Sequence, residues 1–174
     1  GGPTFAQALQ LLEQAFLPTG QGADAQAYEA IARTLAAAFR TRLSDMGDHE
    51  SPKAPGCTTH FSVVDRHGNM CAVTQTLLSI FGSRVVSPST GFLMNNGIMW
   101  FDPEPGKANS LAPNKRVLAN YCPVVGVGED GRQFALGASG GRKILGAVLQ
   151  LSSFLLDHHM TLERSEEHTS ELQS

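Results

Sequence analysis

The chain has 174 residues and a formal net charge of −3, with 41% hydrophobic and 17% charged residues. This composition is typical of one globular domain and excludes a disordered chain. The small negative charge gives no basis for a nucleic-acid partner or a polybasic membrane contact, and no apolar run approaches the roughly 20 residues of a membrane span. The three cysteines lack metal-ligand or CxxC spacing, so we expect each to be a small buried or half-buried residue.

Two amphipathic helices are predicted in the first part of the chain. The first covers residues 4–16, and the second covers residues 25–43 with Asp24 as its N-cap. Apolar residues recur at helical spacing in the first helix at Phe5, Leu9, Leu12 and Phe16. The stripe expected to be buried in the second helix consists of Tyr28, Ile31, Ala32, Leu35, Phe39 and Leu43.

A change from helix to strand is predicted around residue 58. Residues 44–56 contain two prolines and two glycines and should form an exposed loop. Residues 59–64 then alternate as a strand, a turn carrying Gly68 follows, and residues 70–76 form a second strand. Pairing of these two strands in a hairpin would bring Thr76 back towards Thr58.

The rest of the chain is predicted to contain a second hairpin and a final helix. Residues 81–90 and 100–113 should be loops, with a short extended piece at 91–95 between them. Strands are predicted at residues 123–127 and 133–138, and a helix at 142–158. Ser139-Gly140-Gly141 stands directly before that helix.

Thr58 is a candidate nucleophile, although Thr58-Thr59 at a strand start is also explained by ordinary β-propensity. A threonine hydroxyl needs a neighbouring base, and none lies near Thr58 in the sequence. One class of enzyme supplies the base by cutting its own chain before the threonine, because the freed α-amine can accept the proton.

Several motifs, in order and spacing, resemble the γ-glutamyltranspeptidase family of the N-terminal-nucleophile hydrolases. The resemblance runs from about residue 1 to 163 and is most specific between Thr58 and Gly141. The matching motifs are Thr58-Thr59-His60-Phe61-Ser62-Val63-Val64-Asp65, Gly68-Asn69, Thr74-Gln75-Thr76, Phe81-Gly82-Ser83, Asn95-Asn96, Pro113-Asn114-Lys115-Arg116 and Gly137-Ala138-Ser139-Gly140-Gly141. Agreement of this many separate motifs is a specific signal.

The resemblance implies an α+β fold, the αββα sandwich of N-terminal-nucleophile hydrolases, here incomplete. It implies that the chain cuts itself between Cys57 and Thr58, so that residues 1–57 end a large subunit and residues 58–163 begin a small catalytic subunit from one precursor. Thr58 would then carry the acyl group, and Thr76 would hydrogen-bond the nucleophile.

The same resemblance assigns an oxyanion hole to Gly140 and Gly141, whose N–H groups would stand at a helix N-terminus. It places Asn95 and Asn96 near the substrate, with an ordinary turn role as the alternative. Asn120 stands where typical members carry a serine that helps to hold the substrate carboxylate. No cofactor or metal is implied, and His60, Asp65, His158 and His159 are interpreted as structural or exposed.

The match weakens at the positions that would bind the donor's charged groups. Leu78 stands where typical members have an asparagine, and Trp100 stands near the position of an aspartate. Lys115-Arg116 is interpreted as bracing the structure or facing solvent rather than contacting substrate. We therefore expect the catalytic groups to be better preserved than the donor specificity.

The predicted function is an autoprocessing γ-glutamyl hydrolase or transferase that cleaves γ-glutamyl amides such as glutathione. The alternatives are an amidohydrolase similar to cephalosporin or glutaryl acylases, and an unprocessed, non-catalytic homologue. The resemblance implies export to the periplasm or outside the cell. Residues 164–174 are interpreted as a translated sequencing adapter, and the 174-residue chain by itself is expected to be inactive.

Overall fold

The structure is a computed structural model that describes residues 1–18, 22–47 and 57–165. The predicted loop at 44–56 and the tail at 164–174 therefore lie largely outside the described residues. The chain combines helices and strands. Its helices are α1 (Gly2–Ala15), α2 (Ala25–Ser44) and α3 (Lys143–Leu156), and its strands are β1 (Thr59–Val64), β2 (Met70–Gln75), β3 (Val124–Val127) and β4 (Gln133–Leu136).

The two N-terminal helices lie where the periodicity predicts them. Asp24 caps α2 as expected, since its Oδ1 accepts a hydrogen bond of 2.9 Å from the Ala27 N–H. Both helices pack with α3 around one core, whose fully enclosed members include Ala8, Ile31, Leu149 and Phe154. The helices therefore form one layer that joins the beginning of the chain to its end.

The buried stripe of α2 differs from the prediction. The stripe consists of Ala27, Ile31, Thr34, Ala38 and Arg42, whereas Leu43 is 46% exposed. The helix is thus rotated by about one residue relative to the apolar pattern. Burial of Arg42 explains the rotation, because its guanidinium finds oxygen partners inside the protein.

The strands form two antiparallel hairpins, β1–β2 and β3–β4. Thr59 pairs with Gln75 and Val64 with Met70 in the first hairpin, while Val124 pairs with Leu136 in the second. The hairpins contact each other, and the Ser62 hydroxyl of β1 donates to the Ala135 carbonyl of β4 at 3.2 Å. This arrangement brings the start of β1 near the segment that leads into α3.

The segment between the hairpins is mostly irregular, as predicted. Val86 and Leu93 form an isolated bridge, and a 3₁₀ helix at Gly97–Trp100 was not predicted. Lys115 braces this segment, because its ammonium donates to the carbonyls of Ala108 and Ser110.

One expectation about the cysteines is wrong. Cys122 is buried and Cys57 is half-buried, but Cys71 is exposed. The pairing register explains this, since Cys71 lies opposite the exposed Val63 on the first hairpin. Burial raises the pKa of the Cys122 thiol to about 11, so this group stays protonated at neutral pH.

Candidate active site

The register of the first hairpin places Thr58 opposite Thr76. Thr59 pairs with Gln75, so the next residue on each strand continues the same antiparallel alignment. Both threonines are half-buried and lie just beyond the last paired residues. The two hydroxyl-bearing residues therefore stand together at the open end of the hairpin, as the sequence predicts.

Cys57 also lies at this end, which we call the nucleophile end (Cys57, Thr58 and Thr76). The Cys57 sulfur is 3.8 Å from the Thr76 hydroxyl and donates to the Ser79 carbonyl at 3.2 Å. The Thr76 oxygen accepts the Leu78 N–H at 2.9 Å. This acceptor contact orients the Thr76 hydroxyl so that its proton points away from Leu78.

The second predicted element is the glycine turn (Ser139, Gly140 and Gly141). Gly140 has a φ of +125° and Gly141 a φ of +62°, both in the region that side chains rarely adopt. All three residues are exposed, and no described atom lies within 4 Å of a Cβ built on Gly141. α3 begins two residues later, so the backbone N–H groups of the turn stand near a positive helix end.

Asn95 and Asn96 differ in their surroundings. Asn95 is exposed, and its Oδ1 accepts the Gly97 N–H at 2.9 Å, as in an Asx turn. Asn96 is half-buried and holds Ser79 from both sides: its Oδ1 accepts the Ser79 N–H at 3.1 Å, and its Nδ2 donates to the Ser79 hydroxyl at 2.8 Å. The Asn96 amide thus fixes the segment that follows Thr76.

Asn120 is half-buried and is held by Arg42. The guanidinium of Arg42 donates to the Asn120 Oδ1 at 2.8 Å, to the Ala119 carbonyl at 3.3 Å and to the Thr4 hydroxyl at 3.3 Å. Arg42 is only 1% exposed. Since the Asn120 oxygen is engaged, its amide N–H groups are the part that could meet a ligand.

Sequence reasoning missed Tyr121, which packs beside the candidate site. The rings of Trp100 and Tyr121 meet edge-to-face with centroids 5.4 Å apart. Burial, followed by the charge of Cys57, raises the pKa of the Tyr121 phenol. We call Leu78, Trp100 and Tyr121 the apolar flank.

Leu78 is in a backbone conformation unusual for its type. Its φ is +72°, where asparagine and glycine are favoured over branched apolar residues. The sequence contains no local signal for Arg42, Ser79 or Tyr121 as site residues. One feature could have drawn attention to Arg42: it is a charged residue on the same face of α2 as the apolar residues Ile31 and Ala38.

His60, interpreted from the sequence as structural or exposed, is half-buried and lies between two hydroxyls of the first hairpin. Its Nδ1 is 2.8 Å from the Thr74 hydroxyl and its Nε2 is 3.1 Å from the Ser62 hydroxyl. Within the described part of the chain, no group of three or more His, Cys, Asp or Glu side chains could hold a metal ion. No helix among the described residues is long and apolar enough to cross a membrane.

Comparison with known proteins shows the family. The sequence model of the γ-glutamyltranspeptidase family matches residues 51–169. Because this match covers more than half of the chain, the chain belongs to the γ-glutamyltranspeptidase family, whose members are enzymes.

Curated relatives include two kinds of proenzyme. The chain is 43% identical over 110 residues to the acylase ACY 1 proenzyme of Pseudomonas sp. (strain V22), covering 63% of this chain and 20% of that protein. It is 36% identical over 115 residues to the glutathione hydrolase proenzyme of Bacillus subtilis (strain 168), covering 66% of this chain and 20% of that one. The chain thus spans about a fifth of the length of these relatives.

Solved structures of the γ-glutamyltranspeptidase from Pseudomonas nitroreducens are also similar, with 36% identity. One is a complex with L-DON, which aligns with a TM-score of 0.53 over 62% of this chain and 61% of that one. Another is described as a highly active mutant in which a tryptophan is replaced by aspartate; it aligns with a TM-score of 0.52 over 62% of this chain and 60% of that one.

Proposed function

We propose that this chain spans the self-cleavage site of a proenzyme and that Thr58 is the N-terminal nucleophile of the mature amidohydrolase or acyltransferase. The observation that carries this proposal is the hairpin register, which aligns Thr58 with Thr76. Residues 1–57 would end the large subunit and residues 58–163 begin the small one. The complete enzyme would have the αββα sandwich and would be exported, as family membership suggests.

Self-cleavage would begin with attack of the Thr58 hydroxyl on the carbonyl carbon of Cys57. The C–O bond forms first and gives a tetrahedral oxyanion. This intermediate collapses as the C–N bond breaks, and the Thr58 nitrogen takes the hydroxyl proton and becomes an amine. Water then hydrolyses the resulting ester, which returns the hydroxyl to Thr58 and leaves a carboxylate on Cys57. The new α-amine supplies the base that Thr58 otherwise lacks.

Thr76 would assist the same oxygen after cleavage. In the uncut chain its hydroxyl contacts the Cys57 sulfur at 3.8 Å, while the thiol proton goes to the Ser79 carbonyl. Departure of Cys57 would leave the Thr76 proton available to the Thr58 oxygen. The Leu78 N–H holds the Thr76 oxygen in place and thereby supports this orientation.

The glycine turn would stabilise the oxyanion in both reactions. Its N–H groups are exposed before α3, and a substrate can approach Gly141 without meeting a Cβ atom. Loss of one such donor typically costs about 2.7–4 kcal/mol of transition-state stabilisation. In catalysis the amide carbonyl of the donor is attacked by Thr58, its amine leaves with a proton, and water or an acceptor amine takes the acyl group.

The acyl donor is proposed to be a γ-glutamyl or glutaryl amide. The Asn120 amide would donate a hydrogen bond to the substrate carboxylate, and Asn95 would lie near the substrate. Leu78 and Trp100 stand at or near the positions where typical members place groups for a charged amine, so glutaryl amides, which lack that amine, should compete well. One relationship supports this second candidate: the 43% identity to an acylase proenzyme.

The decisive test uses the complete proenzyme that contains this chain. We expect two fragments on a denaturing gel, with Thr58 at the new N-terminus, and hydrolysis of γ-glutamyl and glutaryl anilides by the cut protein. A single uncut chain without hydrolysis of either anilide would identify the non-catalytic alternative.

A further inference from the structure

The His60 side chain joins the nucleophile strand to both the second strand and the approach to the glycine turn. It lies two residues after Thr58 on β1. Its ring nitrogens contact the hydroxyls of Thr74, on β2, and Ser62, on β1. Ser62 in turn donates to the carbonyl of Ala135 on β4. The ring plane is therefore fixed by two hydroxyls.

The ring also lies directly against Gly137. A Cβ built on Gly137 would be 2.1 Å from both Cε1 and Nδ1 of His60, which is far inside van der Waals contact. The φ of Gly137 is not in the positive range, so an alanine would be acceptable to the backbone itself. Glycine is thus required at this position for space, and the space is filled by His60.

This packing contact lies close in sequence to both halves of the candidate site. Gly137 is three residues before Gly140, and His60 is two residues after Thr58. Burial lowers the pKa of His60, so the ring is neutral near pH 7, with one nitrogen donating and the other accepting. A neutral, planar ring that is held by a hydrogen bond at each nitrogen is a rigid spacer.

We propose that His60 is a positioning residue whose ring sets the distance between the Thr58 hydroxyl and the N–H groups of the glycine turn. This inference rests on the proposed roles of Thr58, Gly140 and Gly141. Because an oxyanion hole acts only when its donors meet the developing charge, a shift of the turn should slow the chemical step and leave substrate binding almost unchanged.

The test is a double-mutant cycle in the complete proenzyme, with kcat measured per mole of cut enzyme. His60→Asn keeps a polar group near Thr74 but removes the ring from Gly137, and Gly137→Ala pushes a methyl group into the ring. Each single change should lower kcat by about tenfold, since a displacement on the order of 1 Å has costs of this size or larger. KM should stay within about twofold.

The double variant separates positioning from two unrelated defects. Both changes act through one contact, and the alanine methyl fits where the ring is absent. The double variant should therefore lose no more than about twentyfold in kcat. Two independent tenfold losses would instead multiply to about a hundredfold. Losses that multiply to about a hundredfold, or single variants with the kcat of the unmodified enzyme, would overturn the inference. His60→Phe, which keeps a ring against Gly137, should retain more kcat than His60→Asn.

Two controls keep this outcome distinct from failure of the proposed function. His67→Ala, in the exposed turn of the first hairpin, and Gly146→Ala, where a Cβ would make an ordinary 3.6 Å contact with Leu35, should both leave kcat unchanged. If a single variant cuts itself too slowly to supply mature enzyme, the same comparison is made on the rate of self-cleavage, which uses the same hydroxyl. If the unmodified proenzyme neither cuts itself nor hydrolyses an anilide, the proposed function fails instead.

Discussion

The nucleophile end and the apolar flank lie side by side but depend on different features of the chain. Thr58 and Thr76 are aligned by the backbone pairing of β1 and β2, so any sequence that preserves the hairpin register preserves their alignment. Trp100 and Tyr121 are positioned by the edge-to-face contact of their rings, and Leu78 lies two residues after Thr76. The proposed chemistry is therefore tied to the fold, while the proposed donor choice depends on a few side chains.

The largest effect is expected at the nucleophile end. Thr58→Ala should leave one intact chain and abolish turnover, because no other hydroxyl at that position can attack the Cys57 carbonyl. Thr59→Ala is the matched control, since Thr59 is exposed and adjacent, and it should still cut. A denaturing gel with N-terminal sequencing decides; a Thr58→Ala protein that still splits between residues 57 and 58 would refute the nucleophile.

A second large effect is expected in the glycine turn. Gly141→Ala should lower kcat by about 10²–10³-fold if the turn's N–H groups move away from the oxyanion. Gly131→Ala is the control, because Gly131 also has a positive φ, at +80°, and nothing within 4 Å of its Cβ, but it lies in the turn of the second hairpin. Both variants should lose about 1–2 kcal/mol of stability, and equal kcat losses in both would assign the effect to backbone strain alone.

A moderate effect is expected on the apolar flank. Trp100→Asp should raise the preference for γ-glutamyl over glutaryl donors by about ten- to a hundredfold, the worth of one charged hydrogen bond of roughly 1.5–3 kcal/mol. Competition kinetics between the two anilides measure it, and Trp100→Phe should leave the preference unchanged. A strong γ-glutamyl preference already present in the unmodified enzyme, and persisting in Trp100→Ala, would show that other residues hold the amine.

The smallest effect concerns the backbone at Leu78. Leu78→Asn should stabilise the fold by about 1 kcal/mol, because asparagine tolerates the positive φ at lower cost. Chemical denaturation measures the change, and the control is Leu77→Asn, whose backbone is outside the positive-φ region. A Leu78→Asn protein less stable than the unmodified one would mean that apolar contacts of Leu78 outweigh the strain.

Local patterns predicted most of the elements, since β1, β2 and the helices follow directly from periodicity and from the Asp24 cap. The alignment of Thr58 with Thr76 was also accessible, because hairpin pairing is a short-range property. Three other contacts could not be predicted from the sequence: Arg42 with Asn120, Tyr121 with Trp100, and Asn96 with Ser79. Each joins segments that are distant in the chain or irregular, where neither period 2 nor period 3.6 applies.

Arg42 and the helical core connect residues on both sides of the Cys57–Thr58 bond. α1 and α2 precede this bond, α3 follows it, and all three share one core, while Arg42 donates to the Ala119 carbonyl and the Asn120 Oδ1. Cutting the bond would therefore change only the connectivity of the protein. The two products would stay associated without having to find each other by diffusion, so both the cut and the assembly of the mature enzyme should proceed at a rate that dilution does not alter.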